Sequence, residues 1–146
     1  MKTNFKKVHT AKDLIISSIV LLAGVGTFFI EKGLGTCLVV CALVMLLIYK
    51  DGYRKDGEGV VLHKKSEDLC KCCKASIIDF LSRKDGTPEI RKGNEGGCIR
   101  LDVYYNTSEG IAYAQLFDFR GYNYEPETDV VELHSPEAEK LVSLLC

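Results

Sequence analysis

The densest reactive chemistry in this chain is Cys70-Lys71-Cys72-Cys73, three thiols within four positions, with His63 a little upstream. Three thiolates and an imidazole form a donor set that holds zinc tetrahedrally, and neighbouring thiols are also what a redox sensor needs. A helix through this stretch would place Cys70 and Cys73 on one side and turn Cys72 away, and no second Cys-x-x-Cys pair follows. The pattern therefore favours core packing for Cys73 and ordinary thiols at Cys70 and Cys72. A membrane-proximal thiol or metal sensor built on Cys70, Cys72, Cys73 and His63 is the alternative, and no resident cofactor is expected.

Catalytic pairs are sparse. The histidines are His9, His63 and His134, and Cys98 follows Gly96-Gly97 at a strand entrance, so a nucleophile and base exist only if the fold joins distant positions. The stretch Gly93-Asn94-Glu95-Gly96-Gly97 lacks the Gly-Lys-Ser/Thr ending of a phosphate loop, and Glu95 would repel an anion. It reads as a flexible turn, and the chain as a non-enzyme.

A second group of residues suits recognition. Residues 1–97 hold 16 Lys and Arg against 11 Asp and Glu, a balance of +5, whereas residues 98–146 hold 3 against 9, a balance of −6. Aromatic residues crowd the acidic half, and a surface poor in Lys and Arg argues against nucleic acid. Tyr104, Tyr105, Tyr113, Phe117 and Phe119 serve a core in part, whereas Tyr122 and Tyr124 lie between Gly121 and Pro126 and read as exposed anchors. With Glu125, Glu127 and Asp129 they form the candidate partner-binding set, suited to a basic protein.

These groups sit behind a strongly apolar beginning. Leu14 to Ile30 and Leu34 to Tyr49 are runs of 17 and 16 residues separated by Glu31-Lys32-Gly33, which predicts a two-helix membrane hairpin over residues 14–49. At 1.5 Å per residue each reaches roughly 24 to 26 Å, close to the ~30 Å hydrocarbon core, and Lys12, Lys50, Tyr49 and Tyr53 stand at its boundaries. A cleaved leader is an alternative for the first run, since Lys2, Lys6 and Lys7 precede it, but its ending Thr27-Phe28-Phe29-Ile30 argues against cleavage. A re-entrant hairpin, and lipidation at Cys37 or Cys41, are further alternatives. Neither run contains an ionisable residue, which removes the usual mark of a transport path. Gly24, Gly26, Gly33 and Gly35 permit close helix approach, within the hairpin or between copies, and an oligomeric membrane-permeabilising protein is the third reading.

Orientation follows the basic residues. Residues 1–13 form a basic tail and residues 50–65 a basic linker with turn signals at Lys50-Asp51-Gly52 and Lys55-Asp56-Gly57, whereas the short turn carries only Lys32. Both termini are therefore expected in the cytoplasm. Seven cysteines without a spaced framework, Cys146 being the last residue, read as reduced thiols, in agreement.

Residues 66–146 are expected to form a small α+β domain of helix, three or four antiparallel strands, and helix. Ser66 reads as an N-cap for a helix to Arg83 with an apolar stripe at Leu69, Cys73, Ile77, Phe80 and Leu81. Cys98–Asn106 alternates as a strand, and Asn106-Thr107-Ser108-Glu109-Gly110 turns it into Ile111–Arg120, a central strand. Gly121 to Pro126 reads as a loop or bulge, Asp129 to His134 as a strand, and Ser135-Pro136-Glu137 as the start of a final helix carrying Ala138, Leu141, Val142 and Leu145 inward. The function these features point to is a hairpin that tethers an acidic interaction domain, of adaptor, regulator or immunity type, to the cytoplasmic membrane face. No motif is specific enough to name a family.

Overall fold

The structure is a computed structural model that describes residues 4–93 and 98–145. Asn94 to Gly97, most of the glycine-rich turn, and Cys146 lie outside them. The chain divides into two units, Phe5–Arg54 and the part that starts at Lys55.

In the first unit, β1 (Phe5–Val8) leads into α1 (Ala11–Phe28), then α2 (Lys32–Ile48) and β2 (Gly52–Lys55), and β1 pairs with β2. Thr10 starts α1 through a capping box: its hydroxyl accepts from the Asp13 N–H at 3.2 Å, and the Asp13 carboxylate accepts from the Thr10 N–H at 2.9 Å. That carboxylate also accepts from the Asp51 N–H at 3.1 Å. Strand pairing and this bond hold the segment before α1 against the segment after α2, so both ends of the hairpin leave on the same side. Stretches that read as tail and linker thus contribute paired strands.

The helix contact is made by small residues. A Cβ on Gly35 would fall 2.3 Å from Phe28 Cα, and one on Gly24 would fall 2.9 Å from Val39 N, while Gly26 and Gly33 meet nothing within 4 Å. Gly24 and Gly35 therefore set the close approach, with Ser17 and Ala42 also buried, each seven residues from its glycine. The large side chains point outward: Leu22 is 72% exposed, Leu47 75% and Ile48 76%. Ala11–Phe28 is long and apolar enough to cross a membrane, with 17% of it buried within the chain; Lys32–Ile48 is also apolar but one residue shorter.

The second unit is α+β. Its sheet runs β3 (His63–Cys70), β4 (Cys98–Asn106), β5 (Ile111–Arg120), β6 (Asn123–Pro126), with β7 (Val131–His134) also pairing to β5, all antiparallel. A 3-10 turn (Lys71–Cys73) connects β3 to α3 (Lys74–Arg83), and α4 (Glu137–Leu145) ends the fold. Leu69, Ile99, Leu101, Val103, Ala112, Ala114, Leu116 and Leu133 share one sheet face in register, and both helices pack there through Ile77, Phe80, Leu81, Leu141 and Val142.

Two elements differ from the sequence reading. The domain opens with a strand: of residues 63–70 only Leu69 is fully buried, yet β4 offers a full partner, and the cross-strand pair Lys64–Asp102 (2.8 Å) supports the register. The helix begins eight residues after Ser66, at Lys74, and keeps the Cys73, Ile77, Phe80, Leu81 stripe. Gly121 to Pro126 is a hairpin rather than a loop. Gly121 has φ 65° and opens a two-residue turn between Arg120 and Asn123, which makes β6 the fourth strand of the ladder path and β7 the fifth of the sheet.

Candidate functional site

The thiol cluster is assembled by the end of β3 and the 3-10 turn, not by a helix. Because Cys70 is extended and Cys72 lies in the turn, the Cys72 N–H donates to the Cys70 sulfur at 3.3 Å, and the Cys72 and Cys73 sulfurs are 3.7 Å apart. Cys72 is brought to its neighbours rather than turned away. The hydrogen bond from the Cys72 thiol, with the backbone N–H as a second donor, holds the Cys70 thiol below its ordinary range; the same contact pushes Cys72 up to about 11. Cys73 is fully buried in the core.

His63 does not join this cluster. It stands at the opposite end of β3 from Cys70, seven residues along an extended strand, or roughly 23 Å at 3.3 Å per residue, and its ring lies 6.1 Å from that of Tyr105. Among the described residues no three His, Cys, Asp or Glu side chains converge as a metal ion requires. The nucleophile pair fares similarly: Cys98 begins β4, whereas His63 pairs with Tyr105 near its far end and His134 pairs with Ile111. A shallow hollow beside Tyr105, Ile111, Ala138 and Val142 has an enclosed volume of about 10 Å³, far below the ~300 Å³ of typical small-molecule sites.

The five recognition residues separate into two groups. Tyr122 is 94% exposed at the tip of the β5–β6 turn, Glu125 is exposed on β6 with its carboxylate 3.9 Å from Arg120, and Asp129 is exposed beyond the far end of β6. Tyr124 and Glu127 are occupied by the domain itself. The Tyr124 hydroxyl donates to Asp68 at 3.0 Å, and its ring meets Phe119 edge-on at 5.3 Å and the Arg100 guanidinium at 4.4 Å. Glu127 pairs with Lys74 at 2.9 Å and Arg120 at 2.6 Å.

The charge imbalance between the two halves of the chain is spent in part inside the fold. Lys74 donates to Asp118 at 3.0 Å, Lys64 to Asp102 at 2.8 Å, and Lys55 lies 3.5 Å from Glu132, so bases from the first half neutralise acids of the second. The hydrogen bond from Lys74, reinforced by Lys71 and Arg120, holds the Asp118 carboxyl below the usual aspartate range. Lys55 also bonds Glu58 at 2.6 Å beneath the Tyr113 hydroxyl, which donates to Glu58 at 2.8 Å.

Sequence reasoning did not pair Cys70 with Cys98, which are register partners, nor did it place Arg100 between Phe117 and Tyr124. The signal for the second was present in the alternation of β4, which puts Arg100, Asp102 and Tyr104 on one face. Compared with known proteins, the chain matches no family model, no curated protein and no solved structure.

Proposed function

We propose that this protein is a non-enzymatic, membrane-anchored interaction protein, in which the α1–α2 hairpin sits in the bilayer and the α+β domain binds a protein partner at the cytoplasmic face. The observation that carries the anchor is the outward apolar surface of the hairpin: Leu22, Leu47 and Ile48 are exposed while Gly24 and Gly35 are buried, an arrangement that water penalises and hydrocarbon does not. The β1–β2 pairing supports a hairpin whose two ends share one side, and the Lys and Arg excess at those ends favours the cytoplasm.

For the partner, the support is the β5–β6 turn. An exposed tyrosine on a two-residue turn, with Glu125 exposed on the strand that follows, supplies contact area as interface anchors do. A basic partner now rests on Asp129 and on Glu125, whose ion pair with Arg120 is long at 3.9 Å, and not on the whole acidic half, since Asp102, Asp118 and Glu127 are closely paired within the domain.

Two measurements on the full chain test this. The protein should stay with membranes through alkaline carbonate and leave with detergent; release by carbonate overturns the anchor. A variant keeping Cys72 as its sole cysteine should react with a membrane-impermeant maleimide in inside-out vesicles and not in intact cells, and the reverse pattern overturns the orientation.

A further inference from the structure

Cys70 and Cys98 are distant in sequence and stand opposite each other at the end of the β3–β4 ladder. The Cys70 N–H donates to the Arg91 carbonyl at 2.9 Å, and the Asp68 carbonyl accepts from the Gly93 N–H at 3.0 Å. At these alternate positions β3 therefore turns its backbone bonds away from β4. Cys70 and Cys98 form a non-hydrogen-bonded pair, the type whose Cα atoms lie about 4.5 Å apart with side chains closest. That spacing falls inside the ~4.4–6.8 Å window that a disulfide requires.

The Cys98 side chain is directed toward the end of β3. A Cβ at Gly93 would lie 2.5 Å from the Cys98 sulfur and 3.0 Å from the Leu69 carbonyl, so the Cys98 thiol leans across the end of β3, where Cys70 sits, in space that only glycine leaves open. Neither cysteine is in a disulfide, and both are partly exposed. The two remaining thiols of the cluster are worse placed to react: Cys73 is buried in the core, and Cys72 is held protonated by its donation to Cys70.

We infer that Cys70 and Cys98 are a redox-sensing dithiol that a hydroperoxide oxidises and that retains the oxidation as a cross-strand disulfide. The Cys70 thiolate attacks the terminal peroxide oxygen; an S–O bond forms, the O–O bond breaks, and the departing alkoxide takes a solvent proton to become an alcohol, or water when the peroxide is hydrogen peroxide. Cys70 is then a sulfenic acid. The Cys98 sulfur, giving up its proton, attacks the Cys70 sulfur; the S–S bond forms and hydroxide leaves with that proton as water. Two electrons from the thiol pair have reduced one peroxide, and exchange with an external dithiol restores the site. Cys72 is the hydrogen-bond donor that favours the attacking thiolate, and the new bond staples β3 to β4 across the segment containing α3. This site does not depend on the partner or the membrane orientation proposed above.

Peptide mapping of the intact chain tests it directly. Trypsin cuts after Lys65, Lys71, Lys74, Lys92 and Arg100, so Cys70, Cys98 and the Cys72–Cys73 pair fall on separate peptides. The reduced full-length protein in detergent is treated with equimolar hydrogen peroxide, blocked with N-ethylmaleimide and digested. The expected product links the Cys70 peptide to the Cys98 peptide, and it disappears on adding a dithiol before blocking. In Cys98→Ser, the Cys70 sulfenic acid should instead be trapped by dimedone, and Cys72→Ser should slow the oxidation of Cys70 several-fold. A disulfide joining Cys70 to Cys72, or Cys72 to Cys73, overturns the assignment, as does wild-type protein whose thiols all remain blockable after peroxide. The wild-type map needs no variant, so a misfolded substitution cannot decide the question.

Discussion

In the hairpin, Ser17, Gly24, Gly35 and Ala42 are buried while Leu22, Leu47 and Ile48 face outward; in the α+β unit, Leu69, Leu101 and Leu116 are buried while Arg120 and Glu125 face outward. The same residue types have exchanged places. Apolar area leaving water organises the second unit, at about 25 cal/mol per Å². In the first it organises nothing internally, and the helices meet where missing side chains let backbones approach. The contrast teaches that the two units bury opposite kinds of side chain, small ones in the hairpin and large apolar ones in the α+β unit, and it is the contrast the proposed bilayer anchor would explain.

The largest expected effect that tests this contrast is a core truncation. Leu101→Ala, at a site with no exposure, should cost the α+β domain about 2–5 kcal/mol in urea unfolding, while Leu22→Ala should leave the domain midpoint unchanged. Equal losses would break the comparison. Next, Gly35→Leu should separate the helices, since its Cβ alone would overlap Phe28; overpacking of this kind costs about 1–3 kcal/mol or more. Gly33→Leu, in open space, is the matched control. Cross-linking between cysteines introduced on the two helices reads the difference, and equal loss in both variants would show that the seam does not run through Gly35.

A smaller effect concerns the ion network that knits the two halves of the sequence together. Because Lys74 depresses the Asp118 carboxyl below its ordinary 3.8, the stabilisation is complete above that pH and is lost as pH falls through the lower folded value. Asp118→Asn should lower stability at neutral pH and flatten the acid limb below pH 3.8; a wild-type and a variant curve that stay parallel would show the network is inert. The smallest structural effect is expected at the turn. Tyr122→Ser with Glu125→Lys should change domain stability by no more than ~0.5 kcal/mol, yet abolish photo-crosslinking of a basic partner to a neighbouring probe at Asn123. Crosslinking that persists would remove the β5–β6 turn from the proposal.

Legibility in the sequence varied with how local the determining force was. The bounds of β4 and β5, the Arg83 end of α3 and the inward residues of α4 follow from periodicity that each segment carries alone. β3 was not legible: His63-Lys64-Lys65-Ser66-Glu67-Asp68 has no apolar alternation, and becomes a strand because β4 lies beside it. Gly121 carried the turn signal that opens β6, but Asn123 and Tyr124 read equally well as loop residues until pairing with Arg120 and Phe119 is seen. Of the candidate site, Tyr122 and Glu125 were readable as surface, whereas Tyr124 and Glu127 acquire their structural duties from Asp68, Arg100, Lys74 and Arg120 on other elements.

What the sequence determined by itself is whatever depends on neighbours within a turn or two: two apolar helices joined by three residues, an α+β domain behind them, and glycines where helices would meet. Only the tertiary structure decided which glycines touch, that His63 is remote from the thiols, that Cys70 faces Cys98, and that acids of one half are met by bases of the other. The physical reason is range. Propensity and periodicity act over a few residues, whereas register, close approach and ion pairing are set by segments that the chain brings together only after it has folded.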